Sequence, residues 1–250
     1  MKIERIETNG EEQRIRQEFG VSELCAKVLA CRCQDDEQIR QVLNPDLTLH
    51  PCQSPELTQI LKRLDTARQR HEKVLIAGDY DADGLCATAI MKEALDRTGI
   101  VNGFYVPHRL NEGYGLSAQT VQLAREKGYS LILTVDNGVA AHPALALAKQ
   151  LGVEVIVTDH HVIQQEPECL TLLHPTRMGK PWQYCCGAGI ALQLSMAMTG
   201  PRKRPIMLAA IATIADMMPL WEENRILVRL GLKYLNERQF TAIEALNEKK

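Results

Sequence analysis

Asp79, Asp81 and Asp83 recur at every second position in VLIAGDYDADGLCA (74–87), between the apolar run Val74–Ile76 and Gly84. The apolar run is long enough for a buried strand, and the segment from Gly84 to about Thr98 reads as a helix. Alternate side chains share one face of an extended backbone. The spacing therefore predicts three carboxylates converging where a strand gives way to a helix. Three crowded anions repel one another unless a cation sits among them, and oxygen donors of this kind suit a hard divalent metal. A dinucleotide fingerprint does not fit. There is no GxGxxG, and aspartates would oppose a phosphate rather than receive it.

Two further apolar segments end in the same way. YSLILTVDNG (129–138) runs into Asp136, and VEVIVTDHH (153–161) runs into Asp159, His160 and His161. In a parallel α/β sheet the carboxyl ends of the strands lie along one edge, where ligands bind. Residues some 80 positions apart can thus form one cluster. Carboxylates with imidazole and no thiolate suit Mn²⁺ well and Mg²⁺ acceptably. Two ions about 3.5–4 Å apart need a shared carboxylate and activate water for in-line phosphoryl displacement. Asp136, alone at its strand end, is the candidate bridge. Asp216 lies in the apolar stretch IATIADMMPL, where an unpaired charge would be costly to bury. It is either a fourth source of metal ligands or an acid paired or exposed at a helix end. Strand alternation sends His160 and His161 to different faces. One is then expected to bind metal and the other to support it or face the scissile phosphate.

Three more segments carry candidate contacts. In HRLNEGYGLS (108–117), Arg109 either clamps a phosphate or is simply solvated. In CGAGIALQL (186–194), Gly187 and Gly189 open either an anion-binding helix start or a tightly packed one. PRKRP (201–205) is a basic loop, most often solvated but able to touch a nucleic-acid backbone.

The surrounding pattern supplies the scaffold. Residues 1 to about 70 read as polar helices, including 21–32 with Ser22 as N-cap, 35–43, and 55–73 beginning at Pro55. From Val74 strands alternate with helices: strands near 74–76, 99–109, 129–138, 153–161 and 169–175, and helices over 116–128 and 141–152. This predicts an α/β fold, a parallel sheet flanked by helices, with a helical N-terminal cap. Residues 187–200, 204–220 and 224–239 form a helical C-terminal part.

The 250 residues are 45% apolar but only 4% aromatic, so the core must be largely aliphatic. The net charge of −2 leaves nucleic-acid contacts to local patches. No run of 18 apolar residues occurs and the N-terminus is not a signal peptide, so a soluble, cytoplasmic protein without membrane contact is expected. The eight cysteines include no CxxC pair, which argues against a zinc ribbon and for reduced core thiols.

GDYDADG (78–84), TVDNG (134–138), TDHH (158–161) and the acid of IADMMPL (215–220) together resemble the four motifs of the DHH phosphoesterase superfamily. PHRLNEGYGLS (107–117), CGAGIAL (186–192) and NRILVRLGLKYLN (224–236) resemble its branch of single-strand-specific 5′→3′ DNA exonucleases. The resemblance covers about residues 40 to 240. It implies two catalytic ions, Mn²⁺ or Mg²⁺, with Asp79, Asp81, Asp83, Asp136, His160 and Asp216 at the ligand positions. It implies that Asp159 and His161 complete the signature motif, that His161 faces the phosphate or supports the site, and that Arg109 stands beside it. Single-stranded DNA is the implied partner, in repair and recombination; the identity of any repair-protein partner stays open. Members of that branch continue through a long helix into a DHHA1 domain. The expected organisation is a helical region over 1–70 packing on the core, a catalytic domain over 71–225 and the start of the linking helix over 226–250, with DHHA1 absent.

Two other functions remain open: a phosphodiesterase of oligonucleotides or cyclic dinucleotides, and a non-catalytic DHH module that binds DNA or protein. The complete set of acids and histidines weighs against the second.

Overall fold

In the computed structural model, five short segments become the parallel strands β1 (Lys73–Ala77), β2 (Asn102–Tyr105), β3 (Tyr129–Thr134), β4 (Glu154–Thr158) and β5 (Thr171–Leu173). The structure describes residues 10–43, 46–108, 113–238, 240, 241 and 245. Strand order is β2-β1-β3-β4-β5, with every pairing parallel. The chain divides into two compact units, Met1–Asp46 and Leu47–Lys250.

The first unit holds α1 (Glu11–Phe19), α2 (Glu23–Arg32) and α3 (Asp36–Leu43), closed around Ile15, Ala26, Leu29 and Ile39. Ser22 caps α2 by accepting the Cys25 amide. Arg14 on α1 pairs with Asp36 at the start of α3, 2.9 Å apart.

The second unit carries the sheet together with α4 (Pro55–Gln69), α5 (Ala82–Arg97), α6 (Ala118–Glu126), α7 (His142–Leu151), α8 (Gly187–Thr199), α9 (Lys203–Ala215) and α10 (Glu222–Asn236). Both sheet faces are apolar, as buried parallel strands require. Val74, Ile76, Leu131, Leu133, Ile156 and Leu173 join Ile60, Leu64, Met91 and Ile190 of α4, α5 and α8 in one cluster. Leu75, Ala77, Ile132, Val155, Val157 and Leu172 face the other way, against α6 and α7. Each fully buried aliphatic side chain of this kind contributes about 1.5–3 kcal/mol. The parallel sheet flanked by helices is the architecture expected from the alternating pattern. No disulfide joins any of the eight cysteines. Among the described residues, no helix is long and apolar enough to cross a membrane.

Strand order reverses beside β1: β2 lies on one side and β3 on the other. In doubly wound sheets such a switch point opens a crevice at the carboxyl ends of the two diverging strands. Asp79 follows β1 and Asp136 follows β3.

Candidate metal centre

The three motif-one aspartates do not lie along a strand. β1 ends at Ala77, and Asp81 is already the N-cap of α5, its carboxylate accepting the Gly84 amide at 2.9 Å. Asp83 sits in the first helical turn. The convergence thus comes from a strand-to-helix turn rather than from strand alternation. Gly84 is required by the close approach of that turn, because a Cβ there would lie 2.7 Å from Asp79 Cβ and from its carbonyl oxygen. Asp79 and Asp83 are buried and Asp81 is exposed.

Asp83 is held from the opposite direction. Its Oδ2 accepts the Gly187 amide and its Oδ1 the Ala188 amide, each at 2.7 Å. The start of α8 does bind an anion, but the anion is Asp83 and not a phosphate. Gly187 also lets the helix pass against motif two: a Cβ there would lie 2.4 Å from Asp136 Cβ. At Gly189 a Cβ would lie 2.9 Å from Cys185 Cβ. Both glycines therefore serve close packing, and the Gly187 amide is taken up by Asp83.

Asp136 has φ 63°, a left-handed conformation rare outside glycine and tolerated best by Asp and Asn. Its amide donates to Thr158 O at 3.0 Å. The buried Asn137 ties the crossing together, donating to Ala77 O and Val135 O and accepting the Leu116 amide. This turn aims the Asp136 carboxylate across the switch point.

β4 ends at Thr158, and the Asp159 carboxylate gathers the segment after it. Asp159 Oδ1 accepts the His160 and His161 amides at 2.7 and 3.1 Å, and Oδ2 accepts the Val139 amide at 2.9 Å. The two histidines consequently do not alternate across a strand. Their ring centroids lie 4.5 Å apart. They still face different partners. His160 Nε2 lies 3.1 Å from Asp136 Oδ1 and 3.6 Å from both Asp83 Oδ2 and Asp216 Oδ2. His161 Nδ1 lies 2.7 Å from Asp159 Oδ1. Asp216 is the C-cap of α9 and one-third exposed, so the apolar stretch around it does not bury it.

Among the described residues, three groups of potential ligand atoms result, each within 4.8 Å: Asp79–Asp81–Asp136, Asp136–His160–His161 and Asp83–His160–Asp216. Asp136 and His160 each belong to two of them. Arg109 lies outside the described residues. Two further contributors lie outside the ligand set expected from the sequence. Tyr114 donates its hydroxyl to Asp136 O at 3.0 Å and packs edge-on to His161. His174 Nε2 donates to His161 O at 3.0 Å. Tyr114 is only one polar aromatic in a polar loop, and His174 follows a strand without an adjacent acid.

The electrostatics are those of crowded, buried carboxylates. Burial raises the Asp79 carboxyl above its ordinary value, and Asp81 adds to this. Burial followed by the charges of Asp83 and Asp81 pushes Asp136 well upward. Burial also raises Asp216, although His160 opposes the shift. Burial works against the charge on Asp159 too, but its bonds from His161 and the Val139 amide hold it below its ordinary value. The same contact raises His161. Burial and the surrounding carboxylates raise the Tyr114 phenol far up, so it remains a donor.

Both Asp79 oxygens and Asp136 Oδ1 are buried and accept no well-formed hydrogen bond, although His160 Nε2 stands 3.1 Å from Asp136 Oδ1. Buried acceptors left unmatched cost about 1–3 kcal/mol each, more when charged. Oxygen and imidazole donors around such oxygens fit a hard or borderline divalent cation.

Residues 73–218 match the DHH family, N-terminal domain, over more than half of the chain. The chain belongs to the DHH family. Among curated relatives it is 38% identical over 200 residues to the single-stranded-DNA-specific exonuclease RecJ of Bacillus subtilis, covering 78% of this chain and 25% of that protein. It is 36% identical over 214 residues to RecJ of Thermus thermophilus, covering 84% and 32%. A crystal structure of exonuclease RecJ bound to manganese superposes with a TM-score of 0.72 at 36% identity, covering 81% of this chain and 53% of that one. The crystal structure of RecJ from Thermus thermophilus in complex with Mn²⁺ gives a TM-score of 0.76 at 31% identity, covering 96% and 35%. The chain spans 25% to 37% of the length of the first three curated relatives.

Proposed function

We propose that this chain is the catalytic module of a metal-dependent exonuclease, active in the cytoplasm, that hydrolyses single-stranded DNA from the 5′ end in repair and recombination. The observation that carries this reading is the set of buried, unmatched Asp79 and Asp136 oxygens at the β1/β3 switch point, with His160 set among three carboxylates. The similarity to RecJ proteins supports the substrate class.

Asp79, Asp81 and Asp136 would hold one Mn²⁺ or Mg²⁺ ion, and Asp83, Asp136, His160 and Asp216 a second. When bound, such a pair supplies Lewis acidity toward a phosphodiester and a water acidic enough to ionise near neutral pH. The chain's own groups do the positioning. The α8 amides fix the Asp83 carboxylate. Asp159 accepts Nδ1–H of His161 and thereby orients a half-exposed ring whose Nε2 stands 3.1 Å from the Tyr114 hydroxyl at the edge of the cluster. Tyr114 anchors the Asp136 backbone and walls the same side.

The test is incubation with Mn²⁺ and 5′-labelled single strands, duplexes, dinucleotides and cyclic dinucleotides. Mononucleotide release from single strands is expected. Turnover of cyclic dinucleotides alone, or no turnover by the folded, Mn²⁺-loaded chain, would overturn the reading.

A further inference from the structure

Arg202, Lys203 and Arg204 stand at the start of α9, with Arg202 at the N-cap and no acid in the first turn. A helix N-terminus carries partial positive charge and favours anions. Three consecutive cations there work against helix stability, so their placement calls for another reason. Two of them converge with Arg97 of α5 on a single carboxylate. Arg202 Nε and Arg97 Nε lie 3.3 and 3.1 Å from Glu93 Oε1, and Arg204 Nη1 lies 3.3 Å from Oε2. Glu93 is only 14% exposed, whereas Arg97 and Arg204 are 46% and 56% exposed. A carboxylate has about four acceptor positions, and each guanidinium has five donors. Glu93 thus sets the positions of three cations without neutralising them.

These side chains line a groove of about 1010 Å³. Its opposite wall is the edge strand β2, from which Phe104 projects 58% exposed. Along α5 the groove follows the stripe Leu85, Thr88, Ala89, Lys92. One turn before Leu85 on the same stripe is Asp81, a member of the Asp79–Asp81–Asp136 group. From Asp81 to Glu93 the helix advances roughly 18 Å. The groove thus begins one turn along α5 from Asp81 and runs to the guanidinium cluster, with the exposed Phe104 ring in its lining.

We propose that this groove carries the backbone of the substrate strand away from the metal centre, Arg97, Arg202 and Arg204 contacting phosphates and Phe104 stacking on a base. The assignment rests on the exonuclease reading and adds to it a strand path. The excess of cations over carboxylates favours a polyanion over an apolar peptide.

The experiment compares the wild-type chain with Arg202→Gln/Arg204→Gln and with Phe104→Ala. Binding of fluorescent phosphorothioate oligothymidylates, three and fifteen nucleotides long, is measured by anisotropy in Mn²⁺ across a salt series. The wild type is expected to bind the longer strand more tightly. The double variant should lose that gain, and its salt slope should fall by about 1.4, about 0.7 for each phosphate contact removed from a single strand. Its Tm is expected to change little, because Glu93 keeps Arg97 as a partner and the α9 start loses two unfavourable charges. Phe104→Ala should weaken the longer strand while leaving the salt slope unchanged. Hydrolysis of single strands by the wild type is assayed alongside. If it is absent, the exonuclease reading fails and this inference fails with it. If it is present while both variants keep wild-type affinity and slope for the longer strand, the groove assignment alone is overturned. A dimer seen by sedimentation and lost in the double variant would give the groove to a second copy and overturn it equally.

Discussion

The Gly187 amide lies 2.7 Å from Asp83 Oδ2, which places the start of α8 directly on a candidate ligand. The same glycine abuts Asp136, so one backbone position sets the spacing between two motifs. Gly187→Ala drives a methyl into Asp136 and is expected to cost about 1–3 kcal/mol, the usual penalty of overpacking. Urea denaturation measures it. Asp136→Gly removes the clashing Cβ and suits φ 63°, so the double variant should recover most of the loss. Additive losses in that cycle would show that the two positions are not coupled.

His160 and His161 should fail differently. His160 Nε2 stands among Asp83, Asp136 and Asp216, whereas His161 is tied to Asp159. His160→Ala is expected to lower Mn²⁺ affinity by about 100-fold or more. His161→Ala should lower it less than about tenfold, and turnover by about 10–100-fold. Calorimetric titration and single-turnover hydrolysis separate the two effects. Equal losses of affinity would contradict the division.

The scaffold was readable because its signals are local. Val74–Ile76, Leu131–Leu133 and Val155–Val157 are uninterrupted apolar runs, and each is followed by an acid. The ligand candidates stood out for the same reason, as charged residues at the ends of buried strands. Their mutual geometry was not readable. Period-two reasoning extends β1 through Asp83 and β4 through His161, but the strands end at Ala77 and Thr158. Beyond those points an N-cap at Asp81 and the Asp159 turn set the directions. The occupation of the α8 amides by Asp83 spans 104 positions, and no local pattern reports it. Asn137, Tyr114 and His174 act through contacts of the same long-range kind.

Away from the site, Arg63 on α4 bridges Glu72 and Glu154, each at 2.6 Å, clamping the entrances of β1 and β4. Burial opposes the charge on Glu72, but the bond from Arg63 outweighs it and holds the carboxyl below its ordinary value of 4.5. A folded-state value below the unfolded one means that this stability is present above about pH 4.5 and is lost as pH falls through the lower, folded value. With solvent screening the pair contributes about 1 kcal/mol. Glu72→Gln should therefore be less stable than wild type at neutral pH and converge on it in acid, once pH has fallen through the lowered folded-state value, read from urea midpoints. A gap that persists unchanged into acid would rule out the ion pair as its source.

The most direct test of the metal centre is calorimetric titration of the chain with Mn²⁺, paired with thermal melting of wild type and Asp136→Ala. Wild type should take up two ions, and at 100 times the dissociation constant each should stabilise it by about 2.7 kcal/mol. Asp136→Ala should lose most of that uptake. Without metal it should melt close to wild type, because removing a buried, unmatched carboxylate from among like charges offsets the cost of alanine at φ 63°. A wild-type chain that takes up no Mn²⁺, or an Asp136→Ala chain that binds both ions as tightly as wild type, would contradict the account.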